Sequence, residues 1–310
     1  MALYAVTGAA GFIGSHLVDG LLAAGHQVRG LDDLSTGRRD NLDPGCDLLI
    51  GDVADPAAVE ALMDGVAGCF HLAAIASVAR TNEDWMGGNR VNLGGTIRVL
   101  EAARDAGRVP VVYASSAAIY GDLGCSVAQE DRAPQPLSAY GADKLGSEMH
   151  AAAGWHVHGV SSFGLRFFNV YGPRQDPCSP YSGVISIFAR RVAEGLGIQI
   201  HGDGQQVRDF IHVSDVVNHL IAAMARATAQ RGAAVANVCT GVGTSVLDLA
   251  RLLYRLGNRA PDLSFAPARA GDIRVSVGDP ARAIAMLDCA AKVTLEQGLT
   301  ALAEANRLAA

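Results

Sequence analysis

Tyr140 and Lys144, in the stretch SAYGADKLGSE, are the residues whose types and spacing most plainly suggest chemistry. Four positions apart on a helix, two side chains share one face. The chain has seven tyrosines but only two lysines, Lys144 and Lys292, so a chance pairing at this spacing is rare. A tyrosine that acts as a base near neutrality must come down by about 3 units from a pKa of about 10, roughly 4 kcal/mol. One ammonium at ~4 Å, at an effective dielectric of ~20, supplies energy of that order. The pair is suited to taking the proton of an alcohol while hydride leaves the same carbon. A third hydroxyl should stand at the end of a preceding strand, where YASSAAIYG offers Ser115 and Ser116. Such a group can donate to or accept from the reacting oxygen without competing as a base, and Ser116 is the preferred candidate.

Hydride needs an acceptor, and the octet TGAAGFIG, Thr7 to Gly14, provides a place for one. Gly8, Gly11 and Gly14 would give a tight turn, a close approach to a pyrophosphate and close helix packing, with a helix N-terminus facing the phosphates. Among 36 glycines this spacing alone means little. Its position between the first strand and the first helix carries the reading, and Asp32 ends the second strand where a ribose ligand belongs. A carboxylate there accepts from ribose hydroxyls and repels a 2′-phosphate, which favours NAD over NADP. Arg29, Arg38 and Arg39 are near enough to meet a phosphate, but loop arginines are usually solvated.

The elements that must position these residues follow from hydrophobic runs. Leu3 to Val6, Val28 to Leu31, Leu48 to Ile50, Gly68 to Leu72, Val111 to Ala114 and Val160 to Arg166 alternate with helical patterns. That alternation predicts an α/β fold with a parallel sheet. From Asn169 onward it weakens, and Pro- and Gly-rich segments separate shorter elements, as expected of a smaller lobe closing over the first. Half of the 310 residues are hydrophobic and the net charge is -6, which disfavours a nucleic-acid or anionic-membrane binder. Six scattered cysteines without a CxxC pair suit reduced thiols, and neither they nor His71, His201 and His212 show metal spacing, so no metal is expected. No stretch approaches the ~20 apolar residues of a membrane span, and the start lacks a basic leader, which points to a soluble, cytoplasmic protein.

Together TGAAGFIG, Asp32, HLAA at His71 to Ala74, SSAAIYG and YGADK resemble the extended short-chain dehydrogenase/reductase family, over nearly the whole chain. The resemblance implies a Rossmann-type doubly wound parallel sheet over residues 1–168, with about 209–240 returning to it, and a smaller C-terminal α/β lobe, mainly 169–310, for a nucleotide-linked sugar. It implies a Ser116–Tyr140–Lys144 triad and tightly held NAD. Candidate cofactor contacts extend to Phe12, Ile13, Asp33, Ser35, Gly37, Leu72 and Ala74, with Asp52 and Val53 near adenine and Ala73 near the diphosphate. Ser77 would lie near the sugar. A homodimer through helices around residues 89–105 and 140–154 is also implied.

RFFNVYGPRQ and GDGQQVRDFIHVSD resemble UDP-sugar-binding segments of that family's nucleotide-sugar branch. Asn169 would then bond the diphosphate, Arg208 and Arg269 would clamp its oxygens, and Val184 would join the substrate contacts. Dehydratases of the branch carry Asp and Glu directly after the catalytic hydroxyl residue, because eliminating water needs an acid and a base. Ala117 and Ala118 stand there instead, and a decarboxylase reading weakens for the same reason. What remains resembles the UDP-sugar 4-epimerases. Ser276 takes what looks like the gatekeeper position beside the sugar's C2 substituent, leaving room for N-acetylated sugars. The alternatives are another NDP-sugar-modifying enzyme (reductase, dehydratase or UDP-uronate epimerase/decarboxylase) and a non-catalytic NAD sensor, which would commonly lack the Tyr or Lys retained here.

Overall fold

The computed structural model describes residues 1–176, 183–268 and 272–308. In its first part the strands are β1 (Leu3–Thr7), β2 (Gln27–Asp32), β3 (Cys46–Ile50), β4 (Gly68–His71), β5 (Val111–Ser116) and β6 (Ser162–Phe167). They coincide with the six apolar runs. The strands that follow are β7 (Asn169–Tyr171), β8 (Ile198–His201), β9 (Val207–His212), β10 (Ala233–Val238), β11 (Gly243–Ser245), β12 (Leu263–Ala266) and β13 (Val275–Ser276). The helices in chain order are α1 (Phe12–Ala23), α2 (Pro56–Met63), α3 (Val78–Glu83), α4 (Trp85–Asn89), α5 (Gly95–Asp105), α6 (Ala139–His158), α7 (Val184–Glu194), α8 (Val213–Ala229), α9 (Val246–Leu256), α10 (Ala281–Leu287) and α11 (Leu295–Leu308).

Seven strands form one sheet in the order β10-β6-β5-β4-β1-β2-β3. Every pairing in it is parallel. Parallel sheets are covered on both faces, and all six positions of β6 are accordingly buried. One face packs on Leu17, Val18 and Leu21 of α1 and Val216, Leu220 and Met224 of α8. The other packs on Leu62 and Met63 of α2, Val99 and Ala103 of α5 and Ala151 of α6. The chain leaves β1 toward β2 and β3, then crosses back to β4 on the other side of β1. A crevice opens at such a reversal, beyond the carboxyl ends of the strands.

β6 runs almost directly into β7, which leaves the main sheet and pairs with β9 in a second one ordered β11-β9-β13. β12 and β8 form a separate parallel pair. Phe188, Val192, Ile198, Leu249, Leu253 and Leu299 build the core of this lobe. α8 and β10 return to the main sheet between lobe elements, so the two parts are joined by several crossings. No described helix is long and apolar enough to cross a membrane.

Candidate active site

A cleft of about 560 Å³ runs across the carboxyl ends of β1, β2, β4 and β5 and reaches β7. The glycine loop forms its floor. Gly8 sits at φ +67°, and its amide donates to Leu31 O at 2.8 Å. A Cβ on Gly14 would lie 2.0 Å from Gly8 O, so only glycine lets α1 start this close to the turn. α1 begins with Gly11 as its N-cap, and no acidic side chain occupies its first turn. Free backbone N–H groups and the positive end of the helix therefore face the cleft, which suits a diphosphate.

Asp32 ends β2 on the cleft wall, its Oδ2 accepting from Ala10 N and its Oδ1 from Leu34 N, both at 2.9 Å. Burial pushes its pKa up, while these N–H donors pull it back. Arg29 is turned away: it pairs with Asp47 and donates to the carbonyls of Ala61, Leu62 and Asp64 at the end of α2. Arg38 and Arg39 are exposed and off the wall. These positions leave carboxylates, Asp32 and Asp33, and no arginine at the β2 end of the cleft, and a dinucleotide without a 2′-phosphate fits the residues present.

A buried relay holds the opposite wall. Leu72 N and Ala73 N both donate to Thr7 Oγ1 at 3.1 Å. With its oxygen accepting twice, Thr7 donates its proton to His71 Nδ1 at 2.8 Å. His71 Nε2 then carries the hydrogen toward Thr96 Oγ1 at 3.1 Å, and Thr96 donates to Asn92 O at 2.7 Å. Burial, with Lys144 adding to it, pushes the His71 pKa down to about 3, so the ring is neutral and structural. Asn92 belongs to a π-helical turn, Arg90–Gly94, and its Oδ1 accepts from Ile75 N at 2.8 Å. Such turns often mark functional walls. Here the turn places Arg90 on the cleft, where it pairs with Asp52 at 2.7 Å.

At the β5 end, the side chain of Ser138 accepts from Gly141 N at 3.1 Å and starts α6. A Cβ on Gly141 would meet Ala118 O at 2.7 Å, so glycine allows the first turn of α6 to press against the short 3-10 turn Ala117–Tyr120. That approach lets Tyr140 hydrogen-bond with Ser116. Ser116 Oγ also accepts from Ala118 N at 3.1 Å. Lys144 is buried, lies 5.7 Å from the Tyr140 ring centroid and donates to Ala114 O at 2.9 Å. Its burial lowers its pKa to about 8, against the pull of Asp143. Tyr140 differs from the expectation of a lowered pKa. Burial raises it, and the Ser116 hydrogen bond only partly offsets that, because desolvation penalises the phenolate as it does the ammonium.

The two serines are separated by the pleat. Ser115 points into the interior and donates to Glu148 Oε1 at 2.5 Å. Glu148 holds Arg166 bidentately at 2.9 and 2.7 Å, and Arg166 donates to Tyr120 OH at 2.8 Å. This pair ties α6 to β5 and β6 beneath the cleft.

The lining of the cleft, floor and walls together, gathers Gly8, Gly11, Phe12, Ile13, Gly14, Asp32, Asp33, Ser35, Asp52, Val53, Leu72, Ala73, Ala74, Ser116, Tyr140, Lys144 and Asn169. Gly37 lies behind it, against Asp32 and Ala10. Ser77, Val184, Arg208 and Ser276 are not part of that lining. Ser77 caps α3, accepting from Arg80 N at 3.0 Å. Val184 opens α7 and packs on the lobe core. Arg208 is engaged by Asp272, and Ser276 is its neighbour across the β9–β13 pairing. Arg269 lies outside the described residues. Arg80, Arg90 and Gln175 line the cleft without a sequence signal to single them out. Among the described residues, the carboxylates on the wall are Asp32, Asp33 and Asp52, all from the β2 and β3 ends, and no cluster suits a metal ion.

The sequence pattern of the NAD dependent epimerase/dehydratase family matches residues 4–239. A UDP-glucose 4-epimerase of Mycolicibacterium smegmatis is 38% identical over 306 residues, covering 96% of each chain. A crystal structure of UDP-glucose 4-epimerase from Thermotoga maritima with UDP-glucose superposes with a TM-score of 0.94 at 35% identity, over 99% of both chains. UDP-N-acetylglucosamine 4-epimerase from Methanobrevibacter ruminantium M1, in complex with UDP-N-acetylmuramic acid, also gives 0.94, at 29% identity, over 100% of this chain and 99% of the other.

Proposed function

Because the chain belongs to the NAD dependent epimerase/dehydratase family, we propose that it inverts C4 of a UDP-hexose through a 4-keto intermediate. The observation that carries this reading is the distribution of acids along the cleft. Tyr140, Ser116 and Lys144 meet at one end, and the wall's carboxylates stand at the other. Elimination of water would need an acid–base pair beside Tyr140, where Ala117 and Ala118 follow Ser116. Epimerisation needs only a group that removes and returns the same proton.

The glycine loop, Asp32 and the Leu72–Ala74 segment would hold NAD, which supplies the acceptor and donor of hydride at C4. Tyr140 takes the proton of the C4 hydroxyl as the carbonyl forms and gives it back as the carbonyl is reduced. Lys144 supplies the positive charge that favours the phenolate. Ser116 keeps the reacting oxygen aligned with the phenol. Inversion requires the 4-keto sugar to present its other face, so the sugar must be held loosely and the UDP firmly. Asn169 stands on the wall to bind the diphosphate, and Arg208 would exchange Asp272 for phosphate oxygens, joined by Arg269.

Ser276, beside Arg208, is proposed to leave space at the sugar's C2, so that UDP-N-acetylglucosamine is accepted alongside UDP-glucose. Ser276→Tyr should abolish turnover of the N-acetylated sugar and spare UDP-galactose, and equal loss of both would refute the assignment. Two copies are proposed to pair through α5 and α6, where a groove of about 200 Å³ includes Val157, 72% exposed, and Met149 of α6 is 66% exposed. The activity is tested by incubating the protein with UDP-glucose, UDP-N-acetylglucosamine and UDP-glucuronate in turn and separating the products. Formation of the C4 epimer without net change in nicotinamide absorbance supports the reading, and stoichiometric NADH or a 6-deoxy product overturns it.

A further inference from the structure

Asp143 immediately precedes Lys144 on α6, and the two are 3% and 2% exposed. Asp143 Oδ1 accepts from Asn89 Nδ2 at 2.7 Å, and Asn89 ends α4 where the π-helical turn begins. Its Oδ2 is buried without a hydrogen-bond partner. Burial pushes the Asp143 pKa up, while the Asn89 hydrogen bond, the charge of Lys144 and Asn92 of the π-helical turn pull it back. A buried carboxylate keeps its charge only where such bonds and a nearby opposite charge offset its desolvation. The other groups facing the pair do not serve. His71 from β4 is neutral and held between Thr7 and Thr96. Glu148, one turn along α6, is taken by Arg166 of β6 and Ser115 of β5. Arg90 of the π-helical turn is paired with Asp52, and Arg80 of α3 is exposed at the cleft mouth. β5 offers Lys144 the Ala114 carbonyl, α5 presents the neutral Thr96, and the 3-10 turn after β5 contributes Tyr120, which is bound to Asn237 and Arg166. Among the described residues, Lys144 is the cation left to act on Asp143.

We propose that Asp143 is a positioning residue that acts through Lys144, its buried carboxylate being the fixed counter-charge that keeps Lys144 cationic beside Tyr140. The Asn89 hydrogen bond holds that charge in place and ties it to the π-helical turn of the cleft wall. Consistent with this, burial lowers Lys144 and Asp143 is the group that opposes the shift. The catalytic half of the proposal rests on the role given above to Lys144, while the counter-charge itself does not.

With only two lysines in the chain, the protein labelled with ¹³Cε-lysine gives a spectrum in which Lys144 can be titrated directly, its signal assigned by loss in Lys144→Arg. Asp143→Asn preserves the shape of the side chain and an oxygen for Asn89 but removes the charge. Its Lys144 midpoint should fall by up to about one pH unit, the lower end of what an opposite charge gives, because the two side chains interact through their charges without a direct ion pair. Asp143→Glu, which restores the charge, should bring the midpoint back toward the parent value. In turnover, Asp143→Asn should move the alkaline limb of kcat to lower pH by the same amount, with KM little changed. An unmoved Lys144 midpoint in Asp143→Asn overturns the proposal. A moved midpoint with an unmoved kcat limb upholds the counter-charge and overturns the role of Lys144 in turnover.

Discussion

Replacing Gly14 with alanine puts a single methyl group where the cofactor cradle has no room. Its Cβ would stand 2.0 Å from Gly8 O, 2.9 Å from Gly8 C and 3.0 Å from Ala9 Cα, all backbone atoms. Real Cβ atoms essentially never come closer than 3.0 Å, so Gly8 O and the start of α1 must separate by at least 1.0 Å, from 2.0 to 3.0 Å. The turn cannot retreat freely, because Gly8 N is bonded to Leu31 O at 2.8 Å and the loop lies against Leu72 and Ala73. Overpacking of this kind costs about 1–3 kcal/mol. Where binding requires the undistorted loop, the same energy weakens NAD by about 5- to 150-fold, each 1.4 kcal/mol being tenfold. Calorimetric titration of the parent and Gly14→Ala with NAD reads that change, and thermal melts with and without saturating NAD report how much of the strain falls on the fold. An NAD affinity within twofold of the parent would refute the assignment of this turn as the dinucleotide cradle.

Tyr140→Phe removes the proton carrier and leaves the ring packing, so kcat should fall by about 10²- to 10⁴-fold with the melting temperature unchanged. Turnover at the parent rate would exclude Tyr140 as the acid–base group. Lys144 is lowered to about 8, so its ammonium is present below that pH and lost as pH rises through it. In a kcat–pH profile, activity that depends on the ammonium should decline on the alkaline side near 8, and a flat profile to pH 10, near the value of ~10.4 for an ordinary lysine, would contradict this. Glu148→Gln leaves Arg166 buried without its carboxylate and should cost about 3–5 kcal/mol in denaturant unfolding, far more than replacing an exposed pair such as Arg190 and Glu194.

Hydrophobic spacing located six of the seven strands of the main sheet because a doubly covered parallel sheet demands unbroken apolar runs, as in Ser162–Phe167, where every residue is buried; β10, Ala233–Val238, was not among those runs. The Tyr140–Lys144 spacing was legible for a similarly local reason, since the helix period alone sets it. Choosing between Ser115 and Ser116 needed the pleat and the position of Glu148, 33 residues from Ser115. Arg90 on the wall depends on a π-helical turn, a local change of helical period that hydrophobic spacing does not signal, and its partner Asp52 is 38 residues away. The electrostatics of the pair were only half legible: the spacing showed a cation near a phenol, but not that burial would raise Tyr140 and lower Lys144 together. The lobe was harder to read because its strands are short and its residues meet across sheets, so that Asp272 holds Arg208 across 64 positions.

The fate of the C4 hydrogen tests the proposed cycle most directly. UDP-glucose carrying deuterium at C4 is incubated with the protein, and the product is examined by NMR and mass spectrometry. With Tyr140 working both directions of one redox cycle, UDP-galactose should form with the deuterium still at C4 and no accumulation of NADH. Deuterium found at C6, lost to solvent, or retained in a product of unchanged C4 configuration would contradict it.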